Sequence, residues 1–323
     1  MNPTILLSAP YMLPTAERFR NILAHYGLDV IIPEVHERLS EDEILTYAGQ
    51  FDGAICGDDR FTRRAIEACL PRLKVISKWG TGIDSIDREA ASQHGIPVCN
   101  TPNAFTLPVA DSVLGYMLAF VRRIPWMDRA VKAGEWAKIP GRSLSECSLG
   151  VIGVGNIGKA VIRRARPFGM KLLGNDIIPI APDFILENNV EMTSLPDLLS
   201  RSDFISLNCT LNPTSLHIIN AHSLEWARPG AVLINTARGP LIDEPALVSA
   251  LQAGKLGGAA LDVFEVEPLP AGSPLLRMDQ VLLAAHNANS SPSAWERVHL
   301  NTFHNLLDAL GIAHEDLSAV IKG

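Results

Sequence analysis

The 323-residue chain has room for two domains, and its 47% hydrophobic and 20% charged residues are ordinary for a globular protein. A formal net charge of −7 argues against a nucleic-acid-binding surface, and no apolar run approaches a membrane span. The five cysteines, Cys56, Cys69, Cys99, Cys147 and Cys209, are odd in number and widely spaced; this excludes a disulfide framework or zinc site as the expectation and favours a cytoplasmic location.

The start, Met1-Asn2-Pro3-Thr4-Ile5-Leu6-Leu7, has no basic n-region and reads as a first strand rather than a signal peptide. Short apolar runs follow at Val30–Ile32, Ala54–Cys56, Val75–Ser77 and Pro97–Cys99, with helix-like segments between them. Ser40-x-x-Glu43 is a capping box for one of these helices. Such alternation implies a parallel sheet covered by helices. A longer helix is predicted from about Val109 to Ile124, ending at Pro125.

Next comes Leu149-Gly150-Val151-Ile152-Gly153-Val154-Gly155-Asn156-Ile157-Gly158. An apolar run meets a G-x-G-x-x-G turn, and a helix with Ile157, Ala160, Val161, Ala165 and Phe168 on one face is expected after it. The following run ends at Asp176. In a βαβ unit this arrangement sets a dinucleotide pyrophosphate on a helix N-terminus and a carboxylate against ribose hydroxyls. Further strands are predicted at Lys171–Gly174, Phe204–Leu207, Ala231–Ile234, Gly258–Leu261 and Val281–Leu283. A final helix shows Trp295, Val298, Leu306 and Leu310.

Because the nucleotide motif sits mid-chain, the expected class is α/β with two doubly wound parallel sheets. A Rossmann cofactor domain, 103–287, would be inserted into a flavodoxin-like substrate domain made of 1–102 and 288–323. Ligands of open α/β sheets bind beyond the carboxyl ends of the strands. There the second domain would deliver its glycine turn with Asn156 and Ile157, then Asp176, then Asn208-Cys209-Thr210 and Pro213. Its later strands would deliver Asn235-Thr236-Ala237-Arg238-Gly239, then Asp262 with Glu265 and Glu267, and last His286. Gly153, Gly155, Gly158, Asn156, Ile157, Asp176, Cys209, Thr210, Pro213, Thr236, Ala237 and Asp262 are the candidate cofactor residues.

Three of these strand-end residues suit hydride transfer. Oxidation of an alcohol removes a hydride and a proton, and His286 can take the proton. Glu267 can stabilise the imidazolium, and Arg238 can grip a carboxylate with two parallel hydrogen bonds. On position alone each has a bland alternative: a structural histidine, a solvated loop carboxylate, a helix-capping arginine. His217 and His222 suggest a metal pair, but their spacing matches neither i,i+3 nor i,i+4, so they read as incidental and no metal is expected. Lys78 and Trp79 precede Gly80-Thr81-Gly82, a turn whose backbone N–H groups can face an anion.

The glycine turn, Asn235-Thr236-Ala237-Arg238-Gly239, Leu261-Asp262-Val263-Phe264-Glu265-x-Glu267-Pro268 and His286 together resemble the D-isomer-specific 2-hydroxyacid dehydrogenases, most closely their phosphoglycerate-dehydrogenase-like branch. Gly80-Thr81-Gly82-Ile83-Asp84, Asn100-Thr101-Pro102 and Gly134-Glu135-Trp136 extend the resemblance over nearly the whole chain. It implies an NAD-dependent enzyme interconverting 2-hydroxy and 2-oxo acids. Arg238 would hold the substrate carboxylate, with Lys78 and the backbone of Thr81 and Gly82 on its other side. His286 would be the acid/base tuned by Glu267, and Asp262 would bind the nicotinamide carboxamide. A homodimer is implied, joined through the cofactor domains and an arm around 115–145.

Some positions depart from the family pattern. Asn156 stands where a basic residue is common, and Val109-Ala110-Asp111 replaces Val-Ala-Glu. Gly57 and Phe105 stand where phosphoglycerate dehydrogenases carry arginine and asparagine, and Asp58 and Asp59 follow Gly57. These features disfavour 3-phosphoglycerate. The chain ends after one helix, so the regulatory domain of longer relatives is expected to be absent. Two alternatives stay open: a dinucleotide-sensing corepressor-like protein, since the fold also serves that role, and a dehydrogenase of another anion such as phosphite.

Overall fold

The computed structural model describes residues 2–317 and 320. The chain divides into two compact units, one running to Phe105 and resuming at Ser291, the other spanning Thr106–Ser290.

The first unit contains β1 (Thr4–Leu7), β2 (Asp29–Ile31), β3 (Gly53–Cys56), β4 (Val75–Lys78) and β5 (Val98–Cys99), all parallel, in the order β2-β1-β3-β4-β5. This is the flavodoxin-like order. Every residue of β3 and β4 is buried, as expected for strands covered on both faces. Helix Pro292–Ala309 supplies part of that cover: Ser77 Oγ donates to the Thr302 carbonyl at 2.8 Å, and a Cβ on Gly53 would come within 2.8 Å of Leu306. Val298, Phe303, Leu306 and Leu307 of this helix are fully buried, whereas Trp295 and Leu310 are only partly so. Ser40 caps helix Glu41–Thr46 through the reciprocal bonds of a capping box.

The second unit contains β6 (Ser148–Ile152), β7 (Lys171–Asn175), β8 (Val190–Met192), β9 (Phe204–Leu207), β10 (Ala231–Asn235), β11 (Leu256–Leu261) and β12 (Val281–Leu283). They form one seven-stranded parallel sheet in the order β12-β11-β10-β9-β6-β7-β8. Counted from β6, this is the Rossmann order 3-2-1-4-5-6 with one more strand at the β12 edge. Helix Thr106–Val121 packs beside helix Asn156–Ala165 on one face, burying Val113, Met117, Val161 and Ala165. The other face buries Leu198, Leu207, Leu233, Leu247 and Leu251.

Three local expectations are corrected. β8 has no counterpart among the predicted strands; it is a three-residue edge strand with one buried side chain, held by pairing to β7. Pro125 does not end the long helix. That helix stops at Val121, Arg123 turns the chain with φ 56°, and Pro125 lies in the first turn of a new helix, Ile124–Lys132, where no N–H is required of it. Phe168 does not join the buried face of the nucleotide helix; it lies in a 3-10 turn beyond it and is 43% exposed.

Candidate active site

Within the Thr106–Ser290 unit the candidate residues stand at the carboxyl ends of parallel strands in one sheet. β6 runs into the glycine turn. Gly153 has φ 89°, and a Cβ there would lie 2.4 Å from the Cys209 amide nitrogen, so the turn is pressed against the loop after β9. A Cβ on Gly158 would lie 2.1 Å from the Gly153 carbonyl oxygen, so helix and turn are in backbone contact. Gly155 is different: a Cβ there would meet nothing within 4 Å. Packing does not require glycine at that position, but a ligand approaching the backbone does.

Gly155 also leaves helix Asn156–Ala165 without a side-chain N-cap, so the first-turn N–H groups of Asn156, Ile157 and Gly158 are presented at the exposed end. At the tip of β7, Asp176 accepts from the Val154 amide at 2.6 Å and from the Ile178 amide at 2.9 Å. Its carboxylate is therefore fixed beside the glycine turn. Thr236 Oγ1 and Asn208 Oδ1, after β10 and at the end of β9, are buried without hydrogen-bond partners. Buried polar atoms of that kind call for a polar ligand or water. Cys209 is half-buried, with burial pushing its thiol up to about 11, while Thr210 and Pro213 are exposed. Open space at Gly155, an uncapped helix end, a fixed carboxylate and two orphan oxygens fit a dinucleotide.

The loop after β10 is held by Asn235, which is fully buried. Its Oδ1 accepts from the Ala237 amide at 3.0 Å and its Nδ2 donates to the Arg238 carbonyl at 2.8 Å. This presents Arg238, half-buried, with Nη1 donating to the Ala237 carbonyl at 2.8 Å. After β11, Glu267 Oε1 accepts from the Phe264 amide at 2.9 Å, leaving Oε2 to meet His286 Nδ1 at 3.0 Å. The side chains of His286 and Glu267 are only 22% and 16% exposed, which keeps their interaction poorly screened.

Asp262 organises the histidine turn. It is 1% exposed, and its Oδ1 accepts from the Asn287 amide at 2.8 Å while Oδ2 accepts from the Ala288 amide at 2.9 Å. Its carbonyl accepts from the His286 amide at 2.8 Å. Burial raises its carboxyl pKa, and the backbone donors oppose that rise. His286 itself has φ 49°, a left-handed conformation that the Asp262 contacts help hold. The carboxylate was expected to serve a nicotinamide carboxamide; both its oxygens already carry backbone donors.

In the other unit, Lys78 ends β4 with its side chain 5% exposed; Nζ lies 3.0 Å from Asp58 Oδ1 and donates to the Trp79 carbonyl at 3.1 Å. Asp59 is fully buried and accepts from Ser8 Oγ and, at 2.6 Å, from the Leu39 amide; burial still pushes its carboxyl up to about 6. Thr81 and Gly82 lie in a loop pinned by Asn100 Nδ2, which donates to the Thr81 carbonyl at 2.6 Å, and by Thr101, whose amide donates to the Gly80 carbonyl at 2.9 Å. Sequence reasoning missed the Lys78–Asp58 pairing and the role of Asp262 on the histidine turn. It also missed the contact of His217 with Glu265 at 2.6 Å. Among the described residues no group of His, Cys, Asp or Glu side chains could hold a metal ion, and no helix is long and apolar enough to cross a membrane.

The family profile described as D-isomer specific 2-hydroxyacid dehydrogenase, NAD binding domain, matches residues 114–288. The D-3-phosphoglycerate dehydrogenase of Methanocaldococcus jannaschii is 41% identical over 266 residues, 81% of this chain but 50% of that one, so the chain spans about half the length of this relative. The glyoxylate reductase of Thermofilum pendens is 37% identical over 290 residues, 87% of this chain and 85% of the relative. In three dimensions the chain is similar to the D-lactate dehydrogenase of Aquifex aeolicus complexed with NAD and lactic acid, with a TM-score of 0.83, 28% identity and coverage of 99% of this chain and 98% of the other. The chain belongs to the D-isomer-specific 2-hydroxyacid dehydrogenases, a family of NAD-dependent oxidoreductases, and residues 114–288 are its NAD-binding domain.

Proposed function

We propose that the chain interconverts a small, unphosphorylated 2-oxo acid and its 2-hydroxy acid, with His286 as the acid/base. The observation that carries this reading is the half-buried His286 Nδ1–Glu267 Oε2 contact of 3.0 Å at the end of the Rossmann sheet. Bound nicotinamide supplies the hydride in reduction and accepts it in oxidation. With Nδ1 donating to Glu267, Nε2 is the nitrogen that exchanges a proton with substrate. In reduction the imidazolium gives that proton to the carbonyl oxygen; in oxidation the neutral ring takes the hydroxyl proton. Arg238 grips the substrate carboxylate, and Asp262 holds the turn that carries His286 and offers its remaining lone pairs to the nicotinamide carboxamide. The glycine turn, Asn156, Ile157, Cys209, Thr210, Pro213, Thr236 and Ala237 line the rest of the cofactor. We assign the substrate-domain role to the unit holding Lys78, Thr81 and Gly82, and propose a homodimer. A cytoplasmic location is supported by five unpaired cysteines, ordinary in a reducing compartment.

A panel of 2-oxo acids with NADH, followed through nicotinamide absorbance, tests the reading. Turnover of at least one is expected. Tight NADH binding without turnover of any would favour a dinucleotide-sensing protein instead.

The unphosphorylated character rests on charge. Lys78 is buried and paired with Asp58, and Asp59 is buried beside it in sequence, so the cation is already neutralised and a substrate phosphate would meet a carboxylate. The kcat/KM for an unphosphorylated 2-oxo acid should exceed that for its 3-phosphooxy counterpart by at least ~10-fold, about 1.4 kcal/mol. Equal use of the two would contradict this.

NAD should be preferred over NADP. Asp176 would repel a 2′-phosphate, and the exposed Ile177 and Ile178 that follow offer no cation to receive one. NADH should exceed NADPH by at least ~10-fold in kcat/KM, and Asp176→Ala should narrow the gap. Equal use of NADPH by the unmodified enzyme would overturn the assignment.

A further inference from the structure

His217 was expected to be incidental, yet it joins three strand-end loops of the Rossmann unit. Its amide donates to the Pro240 carbonyl at 2.9 Å, and the next residues zip onto the same segment, Ile219 donating to Leu241 and Asp243 to Ile219. That segment begins immediately after Arg238-Gly239. From this anchor the His217 ring reaches Glu265, with Nε2 2.6 Å from Oε1, and its carbonyl accepts from Asn220 Nδ2 at 2.8 Å. Glu265 is clasped in return by the start of helix Glu244–Gln252: its amide donates to Glu244 Oε2 at 3.2 Å and its Oε2 accepts from the Glu244 amide at 3.4 Å.

The clasped segment is the one that carries Glu267. Phe264 donates to Glu267 at 2.9 Å, and Gly239 lies so close that a Cβ on it would stand 1.9 Å from the Phe264 carbonyl carbon. Residues 264–267 are therefore wedged between the Arg238 loop and the His217–Glu244 clasp. Three carboxylates, Glu244, Glu265 and Glu267, crowd this segment, with Asp243 and Asp262 on the elements to either side; burial and the two neighbouring glutamates raise the Glu244 carboxyl pKa. Two histidines meet them, His217 at Glu265 and His286 at Glu267. His217 thus meets a segment that is rich in negative charge.

We propose that His217 is a positioning residue for the reaction: through Glu265 it fixes the 264–267 segment and so holds the Glu267 carboxylate in line with His286. The proposal rests on His286 and Glu267 being the acid/base pair. It differs from a plain structural role because the His217 side chain is 41% exposed rather than part of the core.

The test is steady-state reduction of a 2-oxo acid by NADH in His217→Leu, His217→Gln and Glu265→Gln, with kcat, KM, NADH affinity and pH profiles. His217→Leu should lower kcat roughly 10-fold, the scale of a modest misplacement of a catalytic group, with NADH affinity within about 2-fold. His217→Gln, which keeps a donor, should recover most of the loss. The alkaline limb of kcat/KM should move to lower pH in His217→Leu, because a loosened Glu267 supports the imidazolium less. The limb should not move further when His217→Leu is added to Glu267→Gln. Wild-type kcat and an unmoved limb in His217→Leu would overturn the proposal. A limb moved to higher pH would overturn it too, since His217 would then be acting by its charge alone. If His217→Leu fails to fold, Glu265→Gln carries the same two readouts. Near-wild-type rates in His286→Ala would instead remove the acid/base reading itself, so the two failures are distinguishable.

Discussion

Replacing His286 with alanine is expected to lower kcat by ~10²–10⁴-fold, the usual contribution of a positioned acid/base. Under the proposed function this residue exchanges the proton; its Nδ1 side meets Glu267 at 3.0 Å and its backbone is locked to Asp262. Alanine removes the proton donor but leaves those backbone contacts available, so the fold and the glycine turn should survive. NADH affinity is therefore expected to change little. Because the loss lies in the chemical step, kcat and kcat/KM should fall together. Rates close to the wild type would return His286 to the role of strand-end scaffolding.

Arg238→Ala is expected to cost roughly 10²–10³-fold in kcat/KM for the 2-oxo acid, about 3–4 kcal/mol, the scale of two charge-assisted hydrogen bonds. Arg238→Lys should recover only part of this, since it keeps the charge but loses the planar fork. The effect should concentrate on substrate handling, because Asn235 bonds the Arg238 carbonyl and the Ala237 amide rather than the guanidinium, leaving the loop intact in both variants. Steady-state kinetics with titration of NADH separate the possibilities. A collapse of NADH binding with unchanged substrate KM would mean that Arg238 supports the cofactor instead.

What could be read in the sequence was chemistry that is local in the chain. The glycine turn announces itself because its demands are backbone demands: a positive φ at Gly153, contact at Gly158, open space at Gly155. The central strands of both sheets show as apolar runs because burial on two faces leaves no alternation to confuse them. β8 escaped because Glu191 at its centre leaves Val190-Glu191-Met192 without an apolar run; it exists by pairing with β7. Pro125 misled because a proline is compatible both with ending one helix and with opening the next, and the left-handed Arg123 that decides between them has no sequence signature.

The same distinction runs through the site. Arg238, Glu267 and His286 could be named because each follows a recognisable strand. Lys78 could be named as a cation but not as half of an ion pair, since Asp58 lies on another strand's loop. His217 was judged by its spacing from His222, whereas its partner Glu265 is 48 residues away and meets it only through the parallel order of β9, β10 and β11.

The pH dependence of kcat/KM for NADH-driven reduction, compared between the wild type and Glu267→Gln, bears most directly on the pairing of His286 with Glu267. Reduction requires the protonated ring, and a carboxylate at hydrogen-bond distance favours that form. Glutamine keeps the size of the side chain and removes its charge. The alkaline limb should therefore move to lower pH in Glu267→Gln with NADH affinity unchanged. A limb that stays where it is in the wild type, at undiminished rate, would contradict a catalytic pair at the end of this sheet.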